Sequence, residues 1–200
     1  MPPQPKKRRP KPMSKTVCIL LAEGFEEIEA LLPADIFKRL GLEVVLVGTD
    51  GQIIRGAHDI EIKTAVDLAD VSAADFDALL LPGGLPGAIN LRDNQRVIDL
   101  IVEADKQTKI IAAICAAPIV LHDAGIVAGR RATGYPDTER LAHTPNIKFS
   151  GKNVEVDGHI ITAIGMGQAA PFAFAIAQAL GVALDKIRSV AQNAFINCEK

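Results

Sequence analysis

KIIAAIC (109–115) runs straight into AAPIVL (116–121), and this junction decides the fold. The first half is a short, continuous apolar run, the mark of a strand buried on both faces. The second half begins a helix, Ala116 to Ala124, that Gly125 stops. No loop separates the two, so Cys115 sits on a sharp turn at the end of a strand. Working outward, TVCILLA (16–22), EVVLVG (43–48) and FDALLLPGG (76–84) are runs of the same kind. Between them lie helical patterns. Ile28, Leu32, Ile36 and Leu40 repeat at i+4 and end at Gly41, and Arg92 to Gln107 puts Val97, Ile98, Ile101 and Val102 on one face. Residues 52–62 alternate weakly and suggest a small excursion of short strands. RRATG and IKFSG are short strand candidates. NVEVDGHIITAIG predicts a hairpin turning at Asp157-Gly158, and a last helix is expected from about Pro171 to Leu180. Strand alternates with helix over most of the chain. The prediction is a doubly wound α/β fold with a mainly parallel central sheet.

Composition bounds the function. The chain has 200 residues, 48% hydrophobic and 23% charged, enough for one domain with a full core and too apolar for a disordered chain. The net charge of −2 is unevenly spread. Residues 1–15 hold six basic residues and no acid, which leaves sixteen basic against twenty-four acidic in residues 16–200. The expected organisation is therefore a disordered, basic, Pro-rich tail (1–15) and a single domain (16–200). KKRRPK in that tail reads as a solvated run, or else as a nuclear-import or anionic-surface patch. An acidic body with no Trp and one Tyr is a poor nucleic-acid binder. Three Cys do not make a disulfide framework, and nothing like the apolar core of a secretory signal follows the basic start, so a cytoplasmic setting is expected. Ile160 to Leu184 is free of charge, but Gly165, Gly167, Gln168 and Pro171 divide it. It reads as a buried strand and a core helix, with no role in a membrane.

In an open parallel sheet, ligands bind beyond the carboxyl ends of the strands. AEGFEEIEALLP, LPGGLPGAINL and AAICAAPIVL all fall there. Cys115 has the placement of a nucleophile elbow, and the start of the next helix predicts a depressed thiol pKa. Cys18, inside a strand, reads as a small hydrophobe, and Cys198 has no expected role. Gly83 and Gly84 allow close backbone approach and can turn N–H groups toward negative charge. Glu26 and Glu27 read as ordinary first-turn acids. Glu29 differs, because Pro33 cannot donate to its carbonyl, so the helix is expected to kink or restart beside it. A carboxyl in an apolar cleft beside a thiolate has a raised pKa and a proton to give. His122 is too far along its helix to serve Cys115, His58, His143 and His159 read as surface residues, and no Cys/His set has metal spacing.

Together the three segments resemble the ThiJ/PfpI superfamily, most of all its DJ-one and YajL branch, over about residues 15–195. The resemblance implies a flavodoxin-like α/β sandwich and a homodimer. It implies Cys115 as the functional thiol, Glu29 as the protonated acid beside it, and Gly84 and Ala116 as donors of an anion pocket. Many members of that branch carry His before the Pro after the elbow helix. Tyr135 stands there in this chain and is a poor base near neutral pH. His58 and Arg39 fall where the pattern places basic residues near the dimer-facing side of the pocket. The implied activity is a cofactor-independent glyoxalase or deglycase acting on methylglyoxal-type 2-oxoaldehydes or on glycated protein side chains. The alternative is a redox-responsive, chaperone-like protein whose Cys115 oxidises to sulfinate. A peptidase of the superfamily would want His at position 116, and an amidotransferase a downstream His-x-Glu; the sequence has neither.

Overall fold

The computed structural model describes residues 14–136, 138 and 149–196. Most of the basic tail, together with His143 and Cys198, lies outside the described residues. The seven-stranded sheet is built from β1 (Thr16–Leu21), β2 (Glu43–Gly48), β5 (Val66–Asp67), β6 (Ala78–Leu81), β7 (Ile110–Ile114), β8 (Val154–Asp157) and β9 (Ile160–Ala163). Its order is β5-β2-β1-β6-β7-β9-β8, and all pairs are parallel except β8–β9. The short strands β3 (Ile53–Arg55) and β4 (Glu61–Lys63) form a separate antiparallel hairpin.

The apolar runs form strands because both faces of the sheet are covered. In β1, Val17, Ile19 and Leu21 face one core and Cys18 and Leu20 the other. Helices α1 (Glu27–Arg39), α5 (Ala169–Ala179) and α6 (Leu184–Asn193) belong to the first layer, with Phe37, Phe172 and Ile176 in its core. Helices α3 (Gln95–Lys106) and α4 (Pro118–Asp123), with α2 (Gly87–Arg92), cover the other face through Leu91, Leu100, Ile101 and Val120. This is the doubly wound sandwich the alternation predicts. Strand order reverses between β1 and β6, which opens a crevice beyond their carboxyl ends.

Several local expectations change. In α1 the buried face is Glu27, Glu29, Ala30, Pro33, Ile36 and Phe37, so the stripe is rotated and Ile28 is 44% exposed. The helix runs through Pro33 without restarting. Gly87–Arg92 forms α2, a helix the sequence reading does not assign, and α6 follows the helix expected to be last. The β8–β9 turn is centred on Gly158-His159, because Asp157 pairs with Ile160. Gly158 supplies the positive φ of 63°, which suits a two-residue loop with Gly first. Of the two strand candidates before it, an isolated Ala132–Phe149 bridge is formed among the described residues. The uncharged run from Ile160 divides into β9, a short turn and α5, and no helix among the described residues is long and apolar enough to cross a membrane.

Candidate active site

Three chain turns meet in the crevice. Cys115 follows β7 at φ 61°, a left-handed conformation that costs an ordinary L-residue about 1–2 kcal/mol. Bonds on both sides hold it there: its N–H donates to the Ala163 carbonyl at 2.9 Å, and its carbonyl accepts from the Tyr135 N–H at 2.7 Å. The following helix starts at Pro118 and not at Ala116, because the Ala117 N–H closes a turn onto the Ile114 carbonyl at 3.0 Å. Small residues at 112, 113, 116 and 117 leave room for this turn.

The second turn is Gly83-Gly84 after β6. The Gly83 N–H donates to Glu29 Oε2 at 2.8 Å. A Cβ on Gly83 would stand 2.8 Å from the Cys115 Cβ, 2.8 Å from Glu29 Oε2 and 2.9 Å from the Ala116 nitrogen, so only glycine lets these groups meet. Gly84 has φ 87°, and its N–H and that of Ala116 lie near enough to the Cys115 sulfur to favour its charged form. The third turn starts α1 and delivers Glu29, whose side chain is fully buried. Its Oε1 meets no N–H of the described residues, and its carboxyl faces the Cys115 thiol.

Burial pushes the Glu29 carboxyl up to about 7, against the Gly83 N–H and the thiol. Burial, and then the Glu29 charge, push the Cys115 thiol up to about 12, against the two N–H groups. The expected depressed thiol pKa is therefore corrected: a half-buried sulfur beside a carboxylate outweighs the start of a short helix. The two groups titrate as a pair. Between about 7 and about 12 the pair holds one proton and one negative charge. With that proton on Glu29, the charge rests on sulfur, facing an O–H and two N–H donors.

The auxiliary residues are dispersed. Tyr135 uses its backbone on Cys115, and its side chain is largely exposed. His58 stands at the first turn of α1, on the acids that precede Glu29. Arg39 lies at the far end of α1, roughly 15 Å along the axis from Glu29, and pairs with Asp35 at 2.6 Å. Within one chain it does not reach the pocket. Glu27 was missed by the sequence reading. It is buried, and despite that burial, hydrogen bonds from His58 and the backbone hold its carboxyl below the usual range. The available signal was its place at the head of the Ala30–Pro33–Phe37 face. Among the described residues Glu26, Glu27 and His58 are the one group close enough to share an ion, but both Glu27 oxygens already accept from His58.

Residues 15–179 match the DJ-1/PfpI family. The chain belongs to it. Protein dj-1beta of Drosophila melanogaster is 35% identical over 185 residues, 92% of this chain and 98% of the relative. Its crystal structure gives a TM-score of 0.85 at 36% identity and covers 92% of this chain and 100% of that one. The glutathione-independent glyoxalase DJR-1.2 of Caenorhabditis elegans is 34% identical over 167 residues, 83% of this chain and 89% of the relative. Toxoplasma gondii DJ-1, solved in an oxidized form, gives a TM-score of 0.84 at 29% identity, over 91% of this chain and 98% of that one. The DJ-1/PfpI assignment and the flavodoxin-like sandwich thus agree with the expectations from sequence.

Proposed function

We propose that the protein is a cysteine-dependent, cofactor-independent glyoxalase acting on methylglyoxal-type 2-oxoaldehydes, with Cys115 and Glu29 as its catalytic residues. The observation that carries this is the buried Glu29 carboxyl, with one oxygen on the Gly83 N–H and the other without an N–H partner, facing the Cys115 thiol at the Gly83-Gly84 turn. The Cys115 sulfur adds to the aldehyde carbon, and the new alkoxide takes the Glu29 proton. The donors of Gly84 and Ala116 follow the charge as it moves from sulfur to oxygen. Glu29 then removes the proton on that carbon and returns it to the neighbouring carbonyl carbon while the hydroxyl proton passes to the neighbouring oxygen, which gives a thioester of a 2-hydroxy acid. Water cleaves the thioester and frees the thiol. Aldehyde and water become acid, with no net oxidation. The similarity to a glutathione-independent glyoxalase supports the substrate class. The partial exposure of Cys115 also admits an aldehyde adduct carried on a protein side chain.

Purified protein, supplied with methylglyoxal and no glutathione, is expected to form the 2-hydroxy acid, followed by proton NMR. Cys115→Ala is expected to abolish the product, and Glu29→Gln to lower turnover by about 100-fold or more. Turnover that survives Cys115→Ala would remove the proposal.

The oxidized Toxoplasma relative favours a second reading. There Cys115 is oxidised by peroxide to a sulfinate, and Glu29 donates to the new anion. Mass spectrometry after low peroxide separates the two. Selective oxidation of Cys115 without oxoaldehyde turnover supports the second reading alone.

A further inference from the structure

A second cluster adjoins the Cys115–Glu29 pair and takes no part in the chemistry above. His58, in the turn between β3 and β4, sets its Nδ1 2.8 Å from Glu27 Oε2 and 3.7 Å from Glu26 Oε1. Its backbone N–H donates to Glu27 Oε1 at 2.7 Å. The Glu27 carboxylate is pressed against the hairpin: a Cβ on Gly56 would stand 2.2 Å from its Oε1. The same hairpin grips the segment before α1, with Gly24 N–H on the Arg55 carbonyl and Ala57 N–H on the Phe25 carbonyl, both at 2.8 Å. On its other side that segment touches the glycine turn. Glu26 N–H donates to the Gly83 carbonyl at 2.9 Å, and a Cβ on Gly84 would stand 2.4 Å from the Glu26 nitrogen. Residues 24–27 are thus held between the hairpin and the turn whose N–H groups meet Glu29 and Cys115.

Charge follows the same path. Glu26 lies near enough to raise the proton affinity of Glu29. The charged groups facing His58 are Glu26 and Glu27 from the α1 side and Asp59 from its own turn. Arg55, the nearby cation of the hairpin, pairs with Asp59 at 3.6 Å and Glu61 at 3.0 Å. Among the described residues, His58 is the cation aimed at Glu26 and Glu27.

We propose that His58 is a positioning residue for the Cys115–Glu29 pair: it clamps the first turn of α1 to the hairpin through Glu27, and its positive charge offsets Glu26 and Glu27, so the pair releases its first proton at a lower pH. This rests on Cys115–Glu29 as the reactive pair, and not on which substrate it takes. The hydrogen bond to Glu27, then the Glu26 charge, raise the imidazole pKa, so the cation persists toward neutral pH. Removing it loosens Glu27 from the hairpin and leaves the Glu26 carboxylate, which acts on Glu29, uncompensated. The pair then keeps its proton to higher pH, and less thiolate is present near neutrality.

The test reads the thiol and not turnover, so it stands apart from the glyoxalase proposal. Cys198→Ser leaves Cys115 and the buried Cys18 as the cysteines. Alkylation of Cys115 by iodoacetamide is followed against pH in this background, in His58→Ala and in His58→Gln. Because the imidazole is exposed and screened by solvent, both substitutions are expected to slow alkylation near neutral pH by about two- to threefold and to move the inflection upward. Lys63→Ala removes an exposed charge from β4 of the same hairpin and is expected to superpose on the parent. The Gln variant keeps a polar side chain of similar reach, so the test survives if the Ala variant folds poorly. A Gln profile that coincides with the parent, or a Lys63→Ala shift of equal size, would overturn the proposal.

Discussion

Glu29 sets the pH response of the fold. Its carboxyl titrates at 4.5 in an ordinary setting and is pushed up to about 7 here, chiefly by burial. Between those values the folded chain holds a proton that the unfolded chain has released. Stability therefore falls as pH rises through this window, by on the order of 3 kcal/mol. Glu29→Gln is expected to flatten that part of the stability curve, measured by urea melts at several pH values. A slope that persists in the variant would place the proton elsewhere. Gly83 is the other decisive position. Gly83→Ala drives a methyl group into Cys115, Glu29 and the Ala116 nitrogen at once, and is expected to lower Cys115 alkylation at least tenfold, about 1.4 kcal/mol, while the fold persists by circular dichroism. The structure brings together Cys115 after β7, Gly83 and Gly84 after β6 and the α1 acid Glu29, as their places in the sequence suggested, whereas Ala116 was named only through the family resemblance. The direction of the thiol pKa was not legible. It depends first on burial of the sulfur and then on a carboxylate 86 residues away in sequence, and pattern reading weighs only local neighbours.

At the scale of elements, the parallel strands read directly from their apolar runs, since two covered faces leave no room for polar residues. Helices were harder. In α1 two stripes compete, Ile28–Leu32–Ile36–Leu40 and Ala30–Pro33–Phe37–Leu40, and Phe37 decides between them by its bulk. The short α2 was hidden by the Gly-Leu-Pro-Gly turn that starts it. Phe172 of α5 is fully buried in the same core as Phe37. Phe172→Ala is expected to destabilise by about 3–5 kcal/mol, because removing a fully buried ring leaves a cavity in a packed core. Chemical denaturation would measure it, and a loss below about 1 kcal/mol would mean that this layer repacks freely.

For the whole molecule, three exposed isoleucines stand out on the α1 and hairpin side: Ile28 at 44%, Ile53 at 62% and Ile60 at 50%. Their exposure beside the site supports the proposed homodimer, which would also bring a second Arg39 and His58 into the neighbourhood. Sedimentation is expected to give a dimer at micromolar concentration, and Ile28→Asp to weaken it. A monomer under those conditions would remove the dimer proposal. The direction of β1 has a different consequence. Ser14 and Lys15 are tied at its amino end, Lys15 to Asp77 at 2.8 Å, while the thiol crevice lies beyond its carboxyl end, about 20 Å away. Whatever is joined ahead of Ser14 therefore attaches at the pole opposite the crevice. A bead or an anionic film that captures the chain by that pole would present Cys115 outward to the liquid, and an affinity handle placed there would leave the crevice unobstructed.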